Sequence, residues 1–177
     1  VREPAPLRIL SFSGGPNAEV KTLRRWAVDA GAELESRIAL GPGMFFQTEQ
    51  VALTPANLRE SDWLIFDERA WDGLTAVEKR SVRDAVSGGL GLLLRITGPM
   101  SSNATADFAK LGFRIRNDNL PQGIRLPEDA AKPLWPTLNR RPVSVQAESG
   151  QTMFADSNGQ PIALWRPVGQ GRVGVLW

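Results

Sequence analysis

The sequence predicts an α/β fold with a mostly parallel central sheet. Two apolar runs carry this prediction, Trp63–Phe66 and Leu90–Ile96, and a segment with helical periodicity separates them. Runs this uniformly apolar are typical of strands that are buried on both faces of a parallel sheet. Ligands bind beyond the carboxyl ends of such strands. Any site is therefore expected beside Asp67-Glu68 and Thr97-Gly98, which follow the two runs.

The chain begins with a predicted βα unit. Leu7–Phe12 is typical of a first strand, and the apolar positions of Ala18–Ala30 repeat at helical spacing after a plausible N-cap, Asn17. The loop between them contains Gly14 and Gly15, which could cradle a phosphate or simply form a tight turn. Because the loop matches neither a P-loop nor the dinucleotide-binding pattern of glycines, the tight turn is favoured.

A strand, a covering segment and a short helix are expected before the first apolar run. Ala32–Leu40 alternates loosely and predicts a second strand, and Met44–Phe46 is expected to cover an edge or one face of the sheet. Thr54 and Pro55 have the character of an N-cap and a first helical residue, and they predict a short helix that ends near Glu60.

The segment between the two apolar runs predicts a capped helix. Thr75 and Glu78 have the spacing of a capping box, and the helix is expected to end at Ser87. A further helix over Asn103–Leu111 and a fifth strand over Phe113–Arg116 continue the alternation that is typical of βαβ units. The predicted inward face of the capped helix consists of Val77, Val82, Ala85 and Val86.

The pattern changes after the fifth strand. Five prolines lie between residues 120 and 142, so this segment is predicted to be an irregular, Pro-rich insertion. Val143–Gln146 and Thr152–Phe154 are candidate strands, and Ile162–Trp165 and Arg172–Trp177 predict a C-terminal β-hairpin.

Composition excludes several kinds of chemistry. The chain contains no Cys and no His, which rules out Cys-His and Ser-His-Asp nucleophile systems and zinc sites built from those residues. Only a hard, oxygen-ligated cation could be held, and no metal ligand or cofactor is predicted. The net charge is only +2, and no arginine-rich run interleaved with aromatic residues is present, so a nucleic-acid partner is not expected.

Length and chain ends suggest one domain of a longer protein. The 177 residues suit a single domain over residues 1–177, and no stretch approaches the roughly 20 apolar residues that cross a bilayer. Val1 is not a natural initiator and the chain stops within an apolar strand at Trp177, so we expect both ends to be cut.

Two sequence blocks resemble the class I glutamine amidotransferase-like superfamily. The first is DWLIFD, a helix, and then VSGGLGLLL; the second is the PIALWRPVGQGRV block near the end. The resemblance implies a flavodoxin-like three-layer sandwich. In active members a nucleophilic Cys follows the strand that corresponds to Leu90–Ile96, where this chain has Thr97-Gly98. Glutamine hydrolysis by the family mechanism is therefore not expected.

The resemblance also implies a context and a role. Divergent domains of this kind are similar to those found in large bacterial membrane proteins, where they lie outside the bilayer on the periplasmic side. The expected role is a non-catalytic binding or scaffolding module of a membrane-anchored parent. Its partner would be another protein or other domains of the same parent chain. An exposed apolar patch is expected near Met44–Phe46 or at the Trp177 edge.

The strand-end residues support an alternative. Asp67, Glu68 and Asp72, with Trp71, Gly14 and Gly15, could form a ligand site used by a divalent-cation-dependent enzyme or a small-ligand binder. The competing interpretation is a solvated loop in which Asp72 helps to start the following helix.

Two further expectations concern this edge of the sheet. Asp67 and Thr97 also resemble the phospho-acceptor and switch residues of response-regulator receivers, but the acidic pair that such a site needs after the first strand is missing. Arg95, a charge in an apolar strand, is expected to have an acidic neighbour, with Asp67 or Glu68 favoured.

Overall fold

The computed structural model describes residues 5–48, 51–118, 122–126 and 138–177. Its helices are α1 (Ala18–Asp29), α2 (Pro55–Arg59), α3 (Glu68–Asp72), α4 (Ala76–Ser87) and α5 (Ser102–Lys110). Its strands are β1 (Arg8–Ser13), β2 (Glu33–Gly41), β3 (Met44–Gln47), β4 (Trp63–Asp67), β5 (Gly91–Arg95), β6 (Phe113–Asn117), β7 (Gln122–Ile124), β8 (Leu138–Arg140), β9 (Val143–Ala147), β10 (Gln151–Ala155), β11 (Pro161–Val168) and β12 (Gly171–Leu176).

Eight strands form the main sheet in the order β10-β11-β12-β5-β4-β1-β2-β3. The five strands from β12 to β2 are mutually parallel, whereas β3 and the β10–β11 pair join the two sides through antiparallel contacts. The predicted α/β fold with a mostly parallel sheet is confirmed. The predicted C-terminal hairpin is also confirmed, and its second strand pairs with β5.

Three of the predicted helices begin where the sequence predicts, whereas α3 was not predicted. Asn17 caps α1, Thr54 caps α2, and Thr75 with Glu78 forms a complete capping box at the start of α4. In each case a side-chain oxygen accepts a hydrogen bond from a backbone N–H that the helix itself leaves without a partner.

Apolar side chains are buried on both faces of the sheet. On one face, Leu64 and Leu92 belong to a core cluster that also includes buried residues of α2, α4 and α5. On the other face, Ile9 of β1 and Val20 of α1 are buried outside that cluster. The arrangement is consistent with a three-layer α/β sandwich.

The predicted fifth strand does not join the main sheet. β6 pairs with β9 in a separate antiparallel ribbon, and β12 occupies the place beside β5. Phe113 and Ile115 are buried while Arg114 and Arg116 are exposed. This alternation suits a ribbon with one face in water, not a strand that is covered on both faces.

Two other predictions need correction. Val77 is 74% exposed, because it lies five residues before Val82 and therefore on another side of α4, whereas Val82 and Val86 are buried as predicted. The insertion over 120–142 is not irregular throughout, since β7 and β8 pair as short antiparallel strands. Residues 120, 121 and 127–137 of that segment lie outside the described ranges.

The two glycines of the β11–β12 turn are required by backbone geometry. Gly169 has a φ of +61°, a value that L side chains rarely adopt, and the backbone N–H of Gln170 donates to the carbonyl of Ser87. A Cβ on Gly171 would overlap the carbonyl oxygens of Val86 and Leu90. The Gly-x-Gly sequence therefore serves the close approach of β12 to the end of α4.

We predict that Gly171→Ala lowers the free energy of unfolding by about 3 kcal/mol, because the added methyl group meets backbone oxygens that no rotamer change can move. Gly15→Ala is the matched control, since its methyl group would meet only the flexible Arg69 side chain, 3.8 Å away. Chemical denaturation measures both variants. Equal stability of the two would contradict the packing explanation.

Candidate functional site

The carboxyl ends of β1, β4 and β5 bring five polar positions to one edge of the sheet. These three strands are adjacent and parallel, so residues that follow them in the sequence become neighbours. We call the group formed by Ser13, Gly14, Asp67, Glu68 and Thr97 the strand-end cluster. Sequence analysis predicted four of these residues at this edge, and Ser13 is the additional member.

Asp67 is buried and its carboxylate is surrounded by donors of the same chain. It is only 3% exposed and caps α3 by accepting from the backbone N–H of Ala70 at 2.8 Å. The N–H of Gly14 lies 2.9 and 2.8 Å from the two oxygens, and the hydroxyl of Ser13 lies 2.7 Å from Oδ2. Asn17 Nδ2 donates to that hydroxyl at 2.9 Å. The carboxylate therefore links β4 to β1.

Glu68 makes the corresponding link from β4 to β5. It is 1% exposed, and its Oε2 accepts from the backbone N–H of Thr97 at 2.7 Å. The Thr97 hydroxyl is 3.0 and 3.2 Å from the two carboxylate oxygens. A Cβ on Gly98 would lie 3.0 Å from Oε1, which is a tight contact, so a side chain there would press on the Glu68 carboxylate. The only cation near this carboxylate within the described residues is Arg69, whose Nε is 3.9 Å away.

The glycine loop has the features of a tight turn. The Gly14 amide donates to Asp67, so an internal carboxylate takes the hydrogen bond that a phosphate would need. A Cβ on Gly14 would overlap the Cβ of Arg69. The close approach of α3 therefore requires a glycine at this position. Gly15 meets no such neighbour.

Trp71 and Asp72 lie apart from the cluster. Trp71 is fully buried and makes edge-type contacts with Phe66 and Phe108, so the prediction of a polar loop at this position is wrong. The loop is in fact the helix α3. Asp72 is the last residue of α3 and accepts from the hydroxyl of Ser101 at 2.7 Å. Thr75, and not Asp72, starts the following helix.

The acids of this edge do not converge on a common point. Asp67 turns toward β1 and Glu68 toward β5, and each carboxylate is occupied by donors of the chain. Within residues 5–48, 51–118, 122–126 and 138–177, no group of three or more acidic side chains could hold a metal ion.

Arg95 pairs with an acid, but with a different one from the acids predicted. It forms an ion pair with Glu19 in the first turn of α1. Asp67 lies opposite Arg95 in the register of β4 and β5, yet its carboxylate is already occupied by Ser13 and Gly14. The predicted acidic neighbour is thus confirmed, whereas the choice of Asp67 or Glu68 was wrong, because Ser13 and Gly14 occupy the first carboxylate and Thr97 occupies the second.

A second polar group, which is half-buried, was missed by the sequence analysis. Asp107 of α5 lies 3.0 Å from the ammonium group of Lys79 and accepts from Trp71 Nε1 at 3.3 Å, and Lys110 Nζ is 3.5 Å away. Lys79 lies on the same stripe of α4 as Val82 and Val86, with the spacing of one helix face. A lysine on an inward stripe needs a partner, and this signal could have located Asp107.

The pKa of Asp107 follows from these neighbours. Burial, the largest single influence, acts to raise the pKa of the carboxyl. The hydrogen bond and the charge of Lys79 oppose it, together with the Trp71 hydrogen bond. With the charge of Lys110 added, these interactions outweigh burial and hold the pKa of Asp107 below its ordinary value.

Of the two places where an apolar patch was expected, one is exposed. Met44 is 60% exposed, and Phe45 and Phe46 are 49% and 48% exposed, which confirms the first expectation. Trp177 is buried, and the guanidinium of Arg140 lies 4.9 Å from its ring centroid, so the second expectation was wrong.

A cavity of about 680 Å³ lies beside α2 and α4, at the end of the sheet where β4 and β5 begin. No member of the strand-end cluster lines it. Its lining includes Leu58, Asp62, Asp84 and Gly89.

The fold is similar to several solved structures. A cytoplasmic protein from Salmonella typhimurium matches 96% of this chain and 87% of its own, with a TM-score of 0.63 and 11% identity. A putative ThuA-like protein from Bacteroides uniformis matches 99% of this chain and 83% of its own, with a TM-score of 0.57 and 14% identity. An exo-β-1,4-mannosidase from an Opitutaceae bacterium matches 97% of this chain, with a TM-score of 0.55 and 16% identity, but this chain spans only 31% of that enzyme. Identities this low show the fold alone.

No family model and no curated protein matches the sequence. Among the described residues, no helix combines the length and the apolar character needed to cross a bilayer.

We predict that Asp107 stabilises the protein in a pH-dependent way. A carboxyl whose pKa is lowered by folding contributes its full stabilisation above the ordinary Asp pKa of about 3.9, and loses it as pH falls through the folded pKa. The difference in unfolding free energy between the wild type and Asp107→Asn should therefore be largest near neutral pH and shrink in acid.

Urea denaturation at a series of pH values measures this difference. The same comparison is then repeated in a protein that carries Lys79→Met. Removing the ammonium group should abolish most of the pH dependence. A difference that stays constant from about pH 7 to about pH 2 would contradict the prediction.

Proposed function

We propose that this protein is a non-catalytic, glutamine amidotransferase-like domain that acts as a binding or scaffolding module of a larger, membrane-associated protein. The order of the parallel strands supports the flavodoxin-like part of this assignment. Counted along the chain, β2-β1-β4-β5-β12 corresponds to the order 2-1-3-4-5 of doubly wound folds of that type.

The turn after β5 carries the non-catalytic part of the proposal. The resemblance puts the family nucleophile at this turn, where Thr97 directs both its backbone N–H and its hydroxyl to Glu68. The sequence has neither a Cys to serve as the nucleophile nor a His to activate one. The hydroxyl and the carboxylate hold the turn in place, which is a structural role.

Two considerations support a role as a module. The mannosidase match corresponds to 31% of that enzyme, so a fold of this kind occurs as one part of a longer chain. The resemblance to domains of bacterial membrane proteins favours a membrane-anchored parent with this domain on the periplasmic side. The partners would be another protein or other domains of the parent, and neither a cofactor nor a nucleic acid is needed.

A carboxylate-dependent enzyme or small-ligand binder is the alternative. The contact between the Thr97 hydroxyl and Glu68 favours it, because a hydroxyl beside a carboxylate is also how a nucleophile meets its base. Against it, the same carboxylate is tied to the backbone of Thr97, and Asp67 is occupied by β1. Binding a cation would require these hydrogen bonds to break.

We predict that the purified protein hydrolyses no glutamine and that Thr97→Ala has the same null activity, because no activated nucleophile exists at this turn. Ammonia release measures the activity, and Thr22→Ala, an exposed threonine on α1, is the matched control. Glutamine hydrolysis that is lost in Thr97→Ala and kept in Thr22→Ala would overturn the proposal.

We also expect magnesium, calcium and manganese to leave the melting temperature unchanged. The same cations are tested on the double variant Asp67→Asn with Glu68→Gln, and each protein is compared with its own cation-free sample. Stabilisation of the wild type that disappears in the double variant would favour the alternative function.

A further inference from the structure

β3 lies at one end of the main sheet, and its outer edge is unpaired. It forms an antiparallel pair with β2 on one side, and in the part of the chain that the structure describes no strand pairs with its other side. All four of its residues are exposed. A strand in this position offers a row of backbone N–H and C=O groups to any extended chain.

This edge lacks the usual protection against strand pairing. The strand reads Met-Phe-Phe-Gln, with no charged residue and no proline. Its pairs with Arg37, Ile38 and Ala39 are regular, and one register shift follows between Ala39 and Gly41, where the extra residue belongs to β2. The other edge, β10, also exposes a phenylalanine, Phe154, but register shifts on both sides of Phe154 interrupt its ladder. Bulges discourage pairing, and the β10 ladder has two register shifts where the β3 ladder has one, so β3 is the more receptive edge.

Cations flank β3 on both faces of the sheet. The guanidinium of Arg37 lies 5.0 Å from the ring centroid of Phe45, and that of Arg24 lies 5.3 Å from the ring centroid of Phe46. Phe45 and Phe46 are consecutive, so their side chains point to opposite faces. The two arginines therefore offer one positive charge on each face.

The acids nearest in sequence to these arginines do not neutralise them. Near Arg37, Glu33 and Glu35 of β2 form ion pairs with Arg8, and near Arg24, Glu19 of α1 pairs with Arg95. Within the described residues, neither Arg24 nor Arg37 forms an ion pair with any acid. The edge thus combines an open backbone ladder, two exposed aromatic rings and two positive charges.

We propose that β3 accepts an extended acidic segment of another protein, which adds to the sheet as a ninth strand. This inference rests on the proposed role as a binding module and names its binding surface. Backbone hydrogen bonds would provide affinity, and apolar side chains would pack beside the two phenylalanines. Acidic residues would pair with Arg24 and Arg37.

The geometry also defines the acidic pattern. Because the arginines lie on opposite faces and side chains alternate along a strand, the two acids must be an odd number of residues apart. A second copy of this chain fits poorly. Antiparallel pairing of β3 with its own copy would bring the two Arg37 side chains together on one face and the two Arg24 side chains together on the other.

The test uses two synthetic ten-residue peptides of alternating threonine and valine. One carries two adjacent glutamates at its centre and its twin carries two lysines, so the charge is reversed without any change in the protein. Each is titrated into the ¹⁵N-labelled protein. We expect the glutamate peptide to shift the amide signals of Met44–Gln47 and to bind at least about ten-fold more tightly than the lysine twin.

Protein variants locate the interaction. The double variant Arg24→Gln with Arg37→Gln should lose most of the discrimination between the peptides, and Phe45→Glu should weaken binding of the glutamate peptide. Phe154→Glu on β10 is the matched control and should bind as the wild type does.

Three results would overturn the inference: no binding of the glutamate peptide, equal binding of both peptides, or shifts centred on β10. Self-association of the wild type that Phe45→Glu abolishes would replace the acidic segment with a second copy. Each of these outcomes leaves the proposed non-catalytic function intact, because the glutamine and cation assays do not involve β3. Glutamine hydrolysis, in turn, would overturn that function but would not contradict peptide binding at β3.

Discussion

The buried carboxylates of Asp67 and Glu68 join the carboxyl ends of three parallel strands. Their oxygens accept from backbone N–H groups on the turns that follow β1 and β5, and from the hydroxyls of Ser13 and Thr97. A buried charge is costly unless such donors surround it, and here they come from neighbouring strands. The two carboxylates therefore find their hydrogen-bond donors within the protein.

The polar groups at the strand ends form their hydrogen bonds within the chain. In doubly wound folds the strand ends are where ligands bind, because loops with free polar groups meet there. In this protein the polar groups meet one another, and exposed apolar surface lies instead at β3, on a side edge of the sheet. The hydrogen-bonded strand ends and the exposed apolar surface at β3 thus lie at different places on one sheet.

Sequence patterns predicted the strands that are buried on both faces of the sheet. The apolar runs before Asp67 and Thr97 placed these residues at neighbouring strand ends, because parallel strands end at the same edge. The direction in which each carboxylate turns could not be predicted, since it depends on the Gly14 amide, which is 53 residues away from Asp67. Trp71 was misjudged for a related reason: its polar neighbours in sequence concealed a short helix that turns the ring into the core.

Unfolding free energies of Asp67→Ala and Glu68→Ala, compared with Asp84→Ala on the exposed side of α4, test the central claim most directly. If the acids serve structure, each replacement leaves part-buried N–H groups without acceptors and should cost about 3 kcal/mol, while Asp84→Ala should change stability by less than about 0.5 kcal/mol. Acids kept for catalysis or ligand binding often reduce stability, so their removal is neutral or stabilising. Unchanged or increased stability of Asp67→Ala and Glu68→Ala would contradict the account.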